Sequence, residues 1–125
     1  MLNKQIKITT SRGNEKATLT VSENEITVQY GDQSISKKGE YPFMVLKEIR
    51  EALDKKNIFL LVNGSRRDVY PSGLSLMGTN AYIQTFGKPC SLQDLVDIFD
   101  ETDRIDMIGT VNEQLNYHKQ WIESL

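Results

Sequence analysis

The chain has 125 residues, of which 38% are hydrophobic and 26% are charged, and its formal net charge is −2. This length and composition are typical of one soluble domain with its own core, and the longest apolar run, Ile58 to Val62, is too short to span a membrane. A single cysteine and a single histidine exclude an internal disulfide and the usual multi-ligand zinc sites.

The first ten residues contain no apolar stretch of the kind found in secretory signals. The lone cysteine, Cys90, fits a reducing compartment. We therefore expect a cytoplasmic location.

Three short strands are predicted in the first 35 residues, because apolar and polar residues alternate there with a period of two. Turn signals at residues 12–14, 23–24 and 31–33 separate them, which predicts an antiparallel meander. Residues 36–39 are predicted to be a polar connection. The alternating apolar residues are Ile6, Ile8, Ala17, Leu19, Val21, Ile26, Val28 and Tyr30.

A helix is predicted to begin near Tyr41 and to end by Asn57, with Pro42 at its first position. Its apolar residues recur every three or four positions and share one face. They are Phe43, Leu46, Ile49 and Leu53.

The apolar run from Ile58 to Val62 predicts a central strand that is covered on both faces. Short strands are predicted at residues 68–70 and 81–86. Ser91 and Asp94 form the S-x-x-D pattern of a capping box, which predicts a helix at that point. Its predicted inner face consists of Leu92, Leu95, Val96 and Phe99.

A final helix is predicted from about Asn112, with one apolar side and Trp121 beside it. That side consists of Leu115, His118, Ile122 and Leu125. Residues 1–125 are thus predicted to form a single α+β domain. It comprises an N-terminal antiparallel meander, a helix, central mixed-sheet strands and two C-terminal helices. In the predicted core, Ile58, Leu60 and Val62 pack with Leu46, Ile49, Leu53, Leu95 and Phe99.

The loop that follows the apolar run is rich in polar groups. Arg66 and Arg67 could bind an anion by paired hydrogen bonds, with Asp68 and Tyr70 as polar partners. The loop matches no phosphate-binding motif. The other interpretation is a structural turn in which one arginine pairs with Asp68.

Catalytic patterns are absent from the sequence. The only histidine, His118, lies between apolar residues of a predicted helix, which favours a packed histidine over a general base. No G-x-S-x-G nucleophile motif occurs. We expect no metal and no cofactor.

The charge distribution is uneven. Residues 71–125 contain three basic and eight acidic side chains, and six of the acidic ones fall between residues 94 and 106. Asp100, Asp103 and Asp106 are predicted to lie near a helix end, where negative charge is unfavourable. The six predicted partner-binding residues are Asp94, Asp97, Asp100, Glu101, Asp103 and Asp106.

A small, histidine-poor α+β chain with an acidic face resembles the immunity proteins of bacterial toxin systems, such as those of contact-dependent inhibition. That class shares no sequence motif, so the resemblance assigns no individual residue. It implies neutralisation of one cognate toxin, often a basic nuclease, by occlusion, without catalysis or cofactor.

The leading hypothesis is therefore a binding protein that covers a basic toxin with its acidic face. The alternative is a small enzyme or ligand-binding domain that acts on a phosphorylated or anionic molecule through the Arg66/Arg67 loop. A third possibility is a subunit that adds a strand to another sheet. The sequence has no basic stripe with interleaved aromatic residues, which argues against direct binding of nucleic acid.

Overall fold

The computed structural model describes all 125 residues, Met1–Leu125. Its strands are β1 (Leu2–Thr10), β2 (Gly13–Val21), β3 (Glu25–Tyr30), β4 (Gln33–Lys38), β5 (Phe59–Leu60), β6 (Val69–Tyr70), β7 (Asn80–Ile83) and β8 (Leu95–Asp97). Its helices are α1 (Pro42–Asp54) and α2 (Val111–Ser124). One sheet has the strand order β4-β3-β2-β1-β5 and the other has the order β6-β7-β8. The α+β class is confirmed, but all strand pairs are antiparallel, so the predicted mixed sheet is wrong.

The N-terminal meander is confirmed. The alternating residues Ile6, Ile8, Leu19 and Val28 are buried on one face of the larger sheet. Gly13 and Gly31 lie at the two tight turns with φ of 106° and 53°, a region that other residues adopt with difficulty.

The meander has a fourth strand, β4, where the sequence predicted a polar connection. This strand pairs with β3 along its full length but is exposed at every position except Ile35. An edge strand with so little burial has no apolar alternation to mark it.

Helix α1 begins at Pro42 as predicted and packs its apolar side into the core. Phe43, Leu46, Ile49 and Leu53 are all buried. The side chains of Lys47 and Glu51 are 4.0 Å apart on the outer face. The helix lies against the meander and β5, and its Phe43 also contacts Tyr70 of the second sheet.

In the segment Ile58–Val62 every residue except the half-buried Phe59 is buried as predicted, but the predicted central position of the segment is wrong. Only Phe59 and Leu60 form a strand, which pairs with β1 at the edge of the larger sheet. Beyond it, Val62 forms a bridge with Glu101, so the segment runs from the edge of the larger sheet to the chain that follows β8. Ile58, Leu60 and Val62 are buried there within the common core.

The predicted helix after Ser91 is wrong. A single 3₁₀ turn at Leu92–Asp94 leads directly into strand β8, which pairs with β7. Leu92, predicted to face inward, is 80% exposed. The fold therefore has one C-terminal helix instead of two.

Helix α2 begins at Val111 with Thr110 as its cap, close to the predicted start. Glu113 N–H donates to Thr110 Oγ1 at 3.1 Å, and Thr110 N–H donates to Glu113 Oε1 at 2.8 Å. The predicted apolar side is wrong in its last part, because Ile122 and Leu125 are exposed. The fully buried side chain of this helix is Gln114.

A buried polar cluster joins α1 to α2. Arg50 and Gln114 are 3% and 1% exposed, and Arg50 Nη1 donates to Gln114 Oε1 at 2.7 Å. Burial lowers the pKa of Arg50 to about 10, which leaves it charged at neutral pH. The remaining hydrogen bonds of the cluster run from Arg50 to the carbonyls of Gly64 and Gly109, and from Gln114 Nε2 to the carbonyls of Gly64, Arg66 and Val69.

The core contains 18 buried residues drawn from both sheets and α1. The predicted members Leu46, Ile49, Leu53, Ile58, Leu60, Val62 and Phe99 all belong to it. Leu95 was predicted to join them but is only partly buried. The core members Ile98 and Phe99 directly precede residues 100–106, which are described next.

Candidate functional site

The six predicted partner-binding carboxylates form two groups. Asp94 and Asp97 are half-buried and hold local turns. Asp94 Oδ2 accepts a hydrogen bond from Ser91 N–H at 2.9 Å, and Asp97 Oδ1 accepts one from Phe99 N–H at 2.8 Å. Both carboxylates thus stabilise local turns of the backbone.

The other four carboxylates are exposed and lie in what we term the acidic segment, residues 100–106. Asp100 is 3.7 Å from Lys4 Nζ. Asp106 accepts two hydrogen bonds of 3.0 Å from Arg104, which lower its pKa below the ordinary value. Glu101 and Asp103 form no ion pair. Two unpaired negative charges therefore remain on this surface.

Backbone hydrogen bonds attach the acidic segment to the core at both ends. Asn63 N–H donates to the carbonyl of Asp100 at 2.8 Å, and Thr102 N–H donates to that of Leu61 at 3.1 Å. At the far end, Arg67 N–H donates to the carbonyl of Met107 at 2.8 Å. The carboxylates are therefore presented on a well-anchored backbone.

The acidic segment contains no α-helix, so the expected conflict between its carboxylates and a helix end does not arise. A 3₁₀ turn at Ile105–Met107 follows Arg104. Within this turn Ile105 is 49% exposed and is flanked in sequence by Arg104 and Asp106. An apolar side chain thus lies among charged ones.

The four residues predicted as an alternative anion site lie in three different environments. Arg66 and Asp68 are buried and form a two-bonded ion pair, with Nε–Oδ1 and Nη2–Oδ2 distances of 2.9 and 2.8 Å. Arg67 is half-buried and donates to the carbonyl of Asp106 at 2.9 Å. Tyr70 points into an aromatic cleft. The pairing of Arg66 with Asp68 matches the structural interpretation of the loop.

The aromatic cleft has a volume of about 490 Å³ and lies between the second sheet, residues 90–92 and α2. Strands β6 and β7 supply Tyr70, Tyr82 and the following Gln84, while α2 supplies His118 and Trp121. Its lining is completed by Pro71, Ser72, Cys90, Ser91 and Leu92. This cleft was not predicted from the sequence.

His118 is held in the cleft on two sides. Its ring stacks on Tyr70 with centroids 3.9 Å apart and planes at 11°. Its Nδ1 lies 2.9 Å from the side-chain nitrogen of Gln84. Tyr70 is itself held by Phe43 of α1, which packs edge-on against it with ring centroids 5.4 Å apart. The orientation of the imidazole is thus determined by the fold.

The position of His118 has a consequence for pH. Burial lowers its pKa below the ordinary 6.5, so the folded state favours neutral imidazole. As the pH falls, His118 is protonated in the unfolded chain before it is protonated in the folded one. Its contribution to the free energy of unfolding is therefore lost as the pH falls below about 6.5. We expect nuclear magnetic resonance (NMR) to show its imidazole titrating below 6.5.

The variant His118→Phe keeps a flat ring and removes the titration. Comparing its unfolding free energy with that of the parent at about pH 5 and about pH 8 isolates the contribution of His118 from those of other groups. A measured pKa at or above 6.5 would contradict the prediction.

Cys90 lines the same cleft without forming a reactive pair. Its Sγ lies 3.4 Å from the carbonyl of Ile83, to which the thiol donates. Burial, with a smaller effect of Asp94, raises the pKa of the thiol. It is therefore protonated at neutral pH, which makes it a poor nucleophile.

No group of three or more His, Cys, Asp or Glu side chains is arranged to hold a metal ion. Neither helix is both long and apolar enough to cross a membrane. Comparison of the sequence with protein-family models and with curated proteins found no significant match.

Proposed function

We propose that this chain is a bacterial immunity protein that neutralises a basic toxin by covering it with the acidic segment. The observation that carries the proposal is the anchored acidic segment, which exposes four carboxylates and the apolar side chain of Ile105. The partner is a basic protein, most simply a nuclease, and the proposal requires neither a cofactor nor catalysis. It implies a cytoplasmic location, where such a toxin would act.

The chemistry of a nuclease supports this choice of partner. An enzyme that holds RNA or DNA must present cationic groups to the phosphates. Carboxylates on an anchored backbone can occupy the same groups, and little conformational entropy is lost when they bind. Ile105 adds an apolar contact among the charges, as in interfaces where a central anchor is surrounded by polar residues.

The charge of the acidic segment gives a direct test. We expect the triple variant Asp100→Lys, Glu101→Lys and Asp103→Lys to bind a basic toxin that co-purifies with the parent protein at least about tenfold more weakly than the parent does, because attraction becomes repulsion. For the parent, the association rate should fall as salt rises. Both quantities can be measured by surface plasmon resonance. Asp97 is left unchanged because its carboxylate holds a turn.

A matched control reverses three exposed carboxylates elsewhere, Glu23, Asp32 and Glu48. It has the same net charge as the triple variant but an intact acidic segment. Equal affinity of the parent and the triple variant would refute the acidic-segment mechanism. Equal losses in both variants would reduce the effect to net charge alone.

A further inference from the structure

The aromatic cleft has the size and lining of a small-molecule site, and it is distinct from the acidic segment. Its volume of about 490 Å³ falls within the roughly 300–1,000 Å³ of ligand pockets. Such pockets combine apolar and aromatic walls with a few oriented polar groups. Here the walls are Tyr70, Tyr82, Leu92 and Trp121, and the oriented polar group is His118.

Three rings of the cleft lie in a row in space. Tyr70 stacks on His118, and the centroid of His118 is 6.1 Å from that of Trp121 with planes at 23°. Trp121 Nε1–H donates to the carbonyl of Lys88 at 3.0 Å, which holds the indole in place. Pre-oriented rings favour a flat partner, because stacking then requires no rearrangement.

The polar groups of the cleft are incompletely used. Since the side-chain N–H of Gln84 donates to Nδ1 of His118, the other ring nitrogen, Nε2, carries the proton and is left to donate to a ligand. Gln84 is 4% exposed and its Oε1 has no hydrogen-bond partner. A buried acceptor without a partner costs free energy. A ligand that brings an N–H group and an acceptor would complement both residues.

We propose that this cleft binds an uncharged, flat heteroaromatic ring that presents an N–H group and a hydrogen-bond acceptor. A nucleobase and a tryptophan residue of a peptide, whose indole supplies the N–H group and whose peptide carbonyl supplies the acceptor, are two sources of that chemistry. The ring stacks within the aromatic walls, His118 and Gln84 supply its polar contacts, and Leu92 covers it at the rim. This inference does not depend on the acidic segment.

The composition of the chain makes the test specific. It has one tryptophan and one histidine, and both line the cleft. An NMR spectrum therefore contains one indole N–H signal and one set of imidazole signals, and each reports on this site. The probes are adenosine, N-acetyltryptophanamide and cyclohexanol, the last being apolar but not flat.

We expect at least one flat probe to shift the Trp121 and His118 signals saturably, while cyclohexanol leaves them unchanged. Adenosine and N-acetyltryptophanamide distinguish the two sources of the ring. The proposal is overturned if neither flat probe produces a saturable shift up to its solubility limit. It is equally overturned if cyclohexanol produces the same shifts.

Two exposed leucines provide matched variants that leave the core intact. Leu92 lies at the rim and is 80% exposed, whereas Leu74 lies outside the cleft lining and is 93% exposed. We expect Leu92→Ala to weaken binding of the flat probe about fivefold by removing apolar contact. Leu74→Ala should bind like the parent. Equal affinities for all three proteins would locate binding elsewhere and refute the proposal.

Discussion

Replacement of Gln114 by alanine is expected to lower the free energy of unfolding by about 3–5 kcal/mol. The side chain is fully buried, and its amide accepts from Arg50 and donates toward three backbone carbonyls. Alanine would leave a buried guanidinium with one acceptor fewer. It would also leave Arg66 and Val69 carbonyls without that donor.

Urea denaturation of the parent and variant measures this loss. Gln120→Ala is the matched control, since Gln120 lies on the same helix but is exposed, and it should change stability by less than about 0.5 kcal/mol. Gln114→Glu separates the two roles of the amide: it can still accept from Arg50 but cannot donate to the carbonyls. If Gln114→Ala costs less than about 1 kcal/mol, the cluster contributes little.

Truncation of Leu60 is expected to have a similar effect for a different reason. Leu60 is 1% exposed and lies opposite Ile8 in the β1–β5 register, between the meander and α1. Leu60→Ala removes apolar contacts and leaves a cavity, which costs about 2–5 kcal/mol. The edge position of β5 does not reduce this cost, because burial and not strand order determines it.

The same denaturation experiment applies, with Leu74→Ala as the control at an exposed leucine. The control should remain within about 0.5 kcal/mol of the parent. A loss under about half a kcal/mol for Leu60→Ala would mean that neighbouring side chains close the cavity without cost.

The parts of the fold that the sequence predicted correctly are those with a simple apolar period. The meander and α1 each bury one face, so Ile6 and Ile8, or Phe43 and Leu46, recur at the spacing of the element that they form. Strand β4 was not predicted because almost none of its side chains is buried. The apolar run Ile58–Val62 correctly indicated burial. Burial alone cannot distinguish a central strand from an edge strand that the rest of the core covers.

The helix predicted after Ser91 is absent because the capping signal there is present but extends over only one turn. The Ser91–Asp94 hydrogen bonding of a capping box is present, yet it closes one 3₁₀ turn. Leu95 then adopts an extended backbone to pair with Tyr82, so tertiary pairing overrides the helix signal. The helix end predicted near the acidic residues is therefore absent, while the exposed carboxylates of residues 100–106 are present.

The aromatic cleft could not be predicted because its residues come from four separate parts of the chain. Tyr70, Tyr82, Leu92 and Trp121 have no common spacing. Likewise, Arg50 and Gln114 each look like polar residues on the outer side of a helix. Only the placement of α2 against α1 and the second sheet brings these groups together.

The cluster of Arg50 and Gln114 also bears on the order in which the chain folds. The hairpins of the meander are closed by turns of two or three residues, whereas Arg50 and Gln114 are 64 positions apart. Closing so long a loop costs more entropy, so the meander can assemble before α2 docks. Contacts that form after the rate-limiting step affect unfolding more than folding. The cluster would then determine how long the native state persists more than how quickly it is reached.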